Sequence, residues 1–113
     1  MNYEHKTFEG KASVVSVEVR EKALGGNDAL IFATKLDELR RSNFKHIIVD
    51  LSNVKLMNSS GLGMLVGGLS ALKKHDITMS LAAIPDKVSE LLKMTHLDEV
   101  FKIYDTVEDA ATH

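Results

Sequence analysis

An α/β fold is what this sequence predicts, and three features of it carry the prediction. Short β-branched runs, Val14-Val15 with Val17 and Val19, then Ile47-Ile48-Val49, recur along the chain at strand length. Between them lie stretches in which apolar residues return every three or four positions, as on one face of a helix. Breaks with turn or cap chemistry separate the two kinds of segment, at Gly25-Gly26-Asn27-Asp28, Asn58-Ser59-Ser60 and Pro85-Asp86. Strands alternating with helices of roughly ten to fifteen residues imply βαβ units and a small mixed, partly parallel sheet.

In chain order, Tyr3 to Phe8 alternates weakly and reads as an edge strand, and Glu9-Gly10-Lys11 as a hairpin turn. The valines from Val14 to Val19 make the strongest strand signal of the N-terminal third. A helix is expected from Asn27 or Asp28, with Ala29, Phe32, Ala33, Leu36 and Leu39 inward. Asp37-Glu38 and Arg40-Arg41 form its wet side, and Ser42-Asn43 ends it. After the Ile47 strand come a turn at Ser52-Asn53 and a second apolar stub, Val54 to Met57. Leu62, Leu65, Val66, Leu69 and Leu72 then mark a helix with one buried stripe. On another of its faces Gly63, Gly67, Ser70 and Ala71 predict close packing against the sheet or another chain. Ile77 to Ile84 is the next strand, and Pro85-Asp86 opens a third helix carrying Val88, Leu91 and Leu92. Phe101 to Tyr104 closes the set of strands, and Thr106 with Asp109 forms a capping-box pattern for a short helix, Val107 to Ala111.

Composition narrows the function classes. At 113 residues, with 44% hydrophobic and 27% charged, residues 1–113 are expected to form one globular domain. A net charge of −2 offers no general attraction to nucleic acid. The basic clusters Arg40-Arg41 with Lys45-His46, and Lys73-Lys74-His75, fall near helix ends, where cations complement the dipole. The chain has no cysteine, which fits a reducing compartment, and residues 1–6 lack the apolar core of a secretory signal. Leu56 to Leu72 carries no charge, yet Asn58, the serines and the glycines make it shorter and more polar than the ~20 apolar residues of a membrane span. A soluble cytoplasmic protein without membrane insertion is expected.

The sequence offers no complete motif of catalysis or cofactor binding. Gly61-x-Gly63 with Gly67 lies too far beyond its strand for a dinucleotide fold, with Ala82-Ala83-Ile84 where an acidic residue is needed. A P-loop lysine is absent, and the serines lack a Gly-x-Ser-x-Gly elbow. His5, His46, His75, His96 and His113 are scattered without ligand spacing, so neither a metal site nor an enzyme is expected. What remains is a pair of hydroxyls at the mouth of a helix, where N–H groups are unpaired and negative charge is favoured. From the residues alone, Ser59 is the helix N-cap.

The run Ile47-Ile48-Val49-Asp50-Leu51 followed by Met57-Asn58-Ser59-Ser60-Gly61-Leu62-Gly63 resembles the central signature of the STAS domain family, which includes the bacterial anti-sigma factor antagonists. The likeness continues through Leu91, Leu92, Leu97, Val100-Phe101 and Tyr104-Asp105-Thr106-Val107-Glu108-Asp109-Ala110 and so covers most of the chain. Inside the signature Asn58 stands where the family usually has Asp, and at Gly25-Gly26-Asn27-Asp28 the family commonly has Gly-x-Leu-Asp. The resemblance implies a sheet with helices mainly on one side and an exposed serine loop at one end. It further implies a non-catalytic switch without a cofactor, in which Ser59 accepts a phosphoryl group and Asn27, Asp28, Asn58, Ser59, Ser60, Gly61, Leu62 and Met64 meet the partner. The implied partners are an anti-sigma factor with a histidine-kinase-like ATP-binding fold and a serine/threonine phosphatase, the chain itself being a monomer or weak dimer. The alternative is a STAS module that is never phosphorylated and serves as a scaffold or as a regulatory subunit of a signalling complex or membrane transporter.

Overall fold

The computed structural model describes residues 3–20, 23–24 and 28–112. Its main sheet has five strands, β1 (Tyr3–Phe8), β2 (Lys11–Val19), β4 (His46–Asp50), β6 (Thr78–Ala82) and β7 (Lys102–Tyr104), in the spatial order β1-β2-β4-β6-β7. A second, two-stranded ladder pairs β3 (Ala23–Leu24) with β5 (Leu56–Met57). The helices are α1 (Asp28–Arg41), α2 (Ser59–Lys73), α3 (Asp86–Met94) and α4 (Val107–Ala111), with a 3₁₀ turn at Leu97–Glu99. Only β1 runs antiparallel to its neighbour, through a turn in which Gly10 takes φ of 75°, a left-handed conformation that glycine adopts without a steric penalty. The other ladders are parallel, as helical crossovers require. The α/β class and the mixed, partly parallel sheet read from the sequence are found, and the sheet is mostly parallel.

Alternation along the strands sorts the core into two layers. Val15, Val17, Val19, Ile47, Val49, Met79 and Leu81 turn to one face and pack against Phe32, Leu36 and Leu39 of α1, Leu62, Leu65 and Leu72 of α2, and Val88 and Leu92 of α3. On the other face a smaller cluster joins Ile48 and Ala82 to Val107, Ala110 and Ala111 of α4. Three helices therefore lie on one side and the shortest on the other. Helix ends are stopped by residues with positive φ, Asn43 (70°) after α1 and Asp76 (58°) after α2, which are tolerated there because a short polar side chain lowers the penalty.

Candidate functional site

The turn that carries Ser59 is anchored from both directions. On the incoming side Leu51 is fully buried, and its N–H donates to the Ala82 carbonyl at 3.1 Å. Asp50 Oδ1 accepts from the Ser52 N–H at 2.9 Å, and Asn53 Nδ2 donates to Glu18 at 2.8 Å, so the loop is tied to its own start and to β2. The β3–β5 ladder, with Ala23 opposite Leu56 and Leu24 opposite Met57, then fixes the backbone one residue before the helix.

Asn58 comes next, and it corrects the sequence reading. Its backbone is extended (φ −107°, ψ −175°), and its side-chain oxygen accepts from the Gly61 N–H at 3.0 Å. Its carbonyl accepts the first helical bond, from Leu62 N–H at 3.1 Å. Asn58, and not Ser59, is therefore the N-cap. Asn, Asp and Ser cap comparably well, so propensity alone does not choose among three consecutive candidates. The consequence is chemical. Ser59 becomes the first residue of α2, both it and Ser60 are exposed, and neither hydroxyl makes a hydrogen bond within the described residues.

Electrostatics at this helix end are one-sided. The first turn of α2 holds no acidic residue, and Asn58 caps without adding charge, so the helix itself supplies no negative charge to its positive end. A helix N-terminus of this kind accepts an added anion readily.

The implied contact residues divide by burial. Asn58, Ser59 and Ser60 reach solvent, whereas Gly61, Leu62 and Met64 are buried and shape the surface from beneath. Asp28 is the half-buried first residue of α1, and Asn27 lies outside the described residues. A groove of about 650 Å³ between α1 and α2 has both Ala29 and Ser60 in its lining, which brings the starts of the two helices together. Two exposed apolar side chains were not singled out from the sequence, Leu30 (77% exposed) in the first turn of α1 and Leu56 (62% exposed) two residues before Asn58. Helical spacing held the signal for Leu30, which falls off the Phe32-Leu36-Leu39 stripe.

Of the two packings expected for the small residues of α2, the one against the sheet does not occur at the predicted positions. Gly63 and Gly67 are exposed, and a Cβ at either would meet nothing within 4 Å. Gly68 makes the close approach instead: a Cβ there would stand 2.8 Å from Leu36 Cδ1 and 2.9 Å from Phe32 Cε2. Ser70 and Ala71 are exposed as well, and so are Ala29 and Ala33 of the expected inward stripe of α1.

Among the described residues two ionisable groups are shifted, Asp37 and His46. The Arg40 hydrogen bond, with the nearby charges of Arg40, Arg41 and His75, holds the Asp37 carboxyl below its ordinary value. Burial, with Lys102 nearby, lowers His46, whose Nε2 lies 2.7 Å from Oγ of the fully buried Ser80. His46 opens β4, at the opposite end of that strand from the Ser59 loop. Among the described residues no His, Cys, Asp or Glu cluster is arranged to hold a metal, and no helix is long and apolar enough to cross a membrane.

Comparison with known proteins supplies the family. The profile of the STAS domain matches residues 5–110. An anti-sigma-B factor antagonist of Staphylococcus aureus is 29% identical over 92 residues, 78% of this chain and 85% of that protein. An anti-sigma factor antagonist from Mycobacterium paratuberculosis shares the fold with a TM-score of 0.80 at 22% identity, covering 98% of this chain and 91% of that one. SpoIIAA, a Bacillus cell fate determinant solved in its phosphorylated form, also shares the fold, with a TM-score of 0.69 at 15% identity over 96% of each chain. With nearly every residue inside the matched profile, this chain belongs to the STAS domain family.

Proposed function

We propose that this protein is an anti-sigma factor antagonist switched by phosphorylation of Ser59. The observation that carries the reading is the exposed Ser59 hydroxyl at the first position of α2, relieved of capping by Asn58. In the unmodified state the Ser59 turn docks against an anti-sigma factor, which then lets go of its sigma factor, and the action takes place in the cytoplasm, where transcription occurs.

The partner is an ATP-binding protein of histidine-kinase-like fold that also reverses the contact. Ser59 Oγ attacks the γ-phosphorus of the partner's magnesium-bound ATP, the bond to the β-phosphate oxygen breaks, and ADP leaves. The hydroxyl proton passes to a base on the partner, because the Asn58 carboxamide is not one. The new group brings about −1.5 to −2 charges to a helix end that favours them, so the modified chain itself is not strained. Against a docked partner the same charge is repelled or desolvated. A metal-dependent serine/threonine phosphatase then restores the hydroxyl.

Incubation with the host's kinase-type anti-sigma factor and ATP tests this. Intact-mass analysis is expected to show one added phosphoryl group, mapped to Ser59, with Ser60→Ala still a substrate and Ser59→Ala not. No added mass would remove the switch and leave the STAS scaffold or regulatory subunit as the better reading.

A further inference from the structure

We infer that the shallow recess between β5 and α3 is a second contact for the anti-sigma factor, and that it takes an apolar side chain of that partner flanked by carboxylates. This deepens the antagonist reading and rests on it. The recess has a volume of about 210 Å³, below the ~300–1,000 Å³ of sites built for whole small molecules, and so suits one or two side chains. On one side of it Lys87, Leu91 and Met94, at four- and three-residue spacing, share a face of α3. Lys55, Leu56 and Met57 line it from β5 and the residue before. Leu56 is 62% exposed and Met94 79% exposed, so the apolar side chains that reach solvent are themselves the walls. Met57 and Met94 suit a binding surface, because an unbranched thioether re-packs around whatever enters.

Position points to the occupant. Leu56 precedes Ser59 by three residues, so their Cα atoms lie within about 11 Å of each other. A partner's footprint of standard size, ~800 Å², has a radius of about 16 Å. An anti-sigma factor centred on Ser59 therefore reaches Leu56 and the mouth of the recess. Charge points to the chemistry. Lys55 and Lys87 both line the recess, and neither makes an ion pair within the described residues. Glu90 offsets only one of them, which leaves the rim with one positive charge in excess. Carboxylates beside the entering side chain meet those lysines, which speeds association and fixes the direction in which the segment lies. A lipid surface fits less well, because the site is concave and carries a glutamate, where membrane docking favours a projecting apolar face with a basic border.

Calorimetric titration of the host's kinase-type anti-sigma factor with the unmodified chain tests this. Leu56→Ser and Met94→Ser are each expected to weaken binding about fivefold or more, with melting temperatures like wild type because both side chains are largely exposed. Val100→Ser, 51% exposed but outside the recess, is expected to bind like wild type. Lys55→Glu combined with Lys87→Glu is expected to slow association in stopped flow by about tenfold at low salt and by less at high salt. Wild-type affinity in both Leu56→Ser and Met94→Ser would overturn the second contact while the antagonist reading stands, whereas no binding by wild type would overturn both. Co-sedimentation with vesicles of phosphatidylcholine and phosphatidylserine, and sedimentation equilibrium of the chain alone, check the other occupants. Vesicle binding or dimerisation that Leu56→Ser abolishes would overturn the proposal in favour of a lipid surface or a second copy.

Discussion

Gly67 and Gly68 are neighbours in α2, yet the same substitution to alanine is expected to act in opposite directions at the two positions. At Gly67 the new methyl meets nothing within 4 Å, so the only sizeable effect is helix propensity, a gain of up to about 1 kcal/mol. At Gly68 the methyl would stand 2.8 Å from Leu36 and 2.9 Å from Phe32, against the ~3.5–4.0 Å of ordinary carbon contacts. Both neighbours are almost completely buried and cannot swing aside, so α1 must move away from α2. Overpacking of this kind costs about 1–3 kcal/mol, which the propensity gain only partly offsets. Gly68→Ala is therefore expected between neutral and about 2 kcal/mol less stable than wild type, leaving a gap of roughly 1–3 kcal/mol between the two variants. Thermal unfolding at low protein concentration reads this as roughly 3–6 °C per kcal/mol at this chain length. Equal melting temperatures for the two variants would refute the assignment of Gly68 as the contact between the helices.

Asn58 and His46 give further tests. Asn58→Ala removes the acceptor of the Gly61 N–H and is expected to cost about 0.5–2 kcal/mol in denaturant unfolding. Asn58→Asp keeps the acceptor and adds a charge at the positive end of α2, for a gain of about 0.3–1 kcal/mol at neutral pH; an Asp variant no more stable than the Ala variant would contradict the capping geometry. For His46 the folded-state pKa lies below its ordinary value of 6.5, so between the two the unfolded chain holds a proton that the folded chain lacks. Its contribution to stability is complete above pH 6.5 and is lost as pH falls below that value toward the folded pKa. His46→Gln is expected to flatten the loss of melting temperature between about pH 7 and pH 5, and an unchanged slope would show that burial of His46 is not its source.

Periodicity made the strands and helices legible because one face of each is buried in a single core. It was less informative where the outcome depends on rotation about a helix axis. Gly67 and Gly68 differ by about 100° of rotation on α2, enough to decide which one touches α1, and the sequence pattern does not resolve that angle. Leu69, expected in the stripe, is only half-buried for the same reason. The two-residue strand Ala23–Leu24 has no pattern of its own, since it exists by pairing with Leu56–Met57 some thirty positions later. At the site, the motif located the turn, while the division of labour between Asn58 and Ser59 came from one hydrogen bond. Neither the α1–α2 groove nor the exposure of Leu56 is legible, because each depends on how elements distant in sequence sit against one another.

In the proposed switch the charge on Ser59 decides docking, and titration of the anti-sigma factor with unmodified and Ser59-phosphorylated protein is the sharpest test of it. A unit charge about 4 Å from a like charge costs about 4 kcal/mol at an effective dielectric near 20. Affinity is therefore expected to fall by up to ~10³ on phosphorylation, since each ~1.4 kcal/mol is tenfold. Ser59→Asp, with less charge and fewer oxygens, is expected to weaken binding by a smaller factor, and Ser59→Ala to bind like the unmodified chain. Equal affinity for the phosphorylated and unmodified forms would contradict the claim.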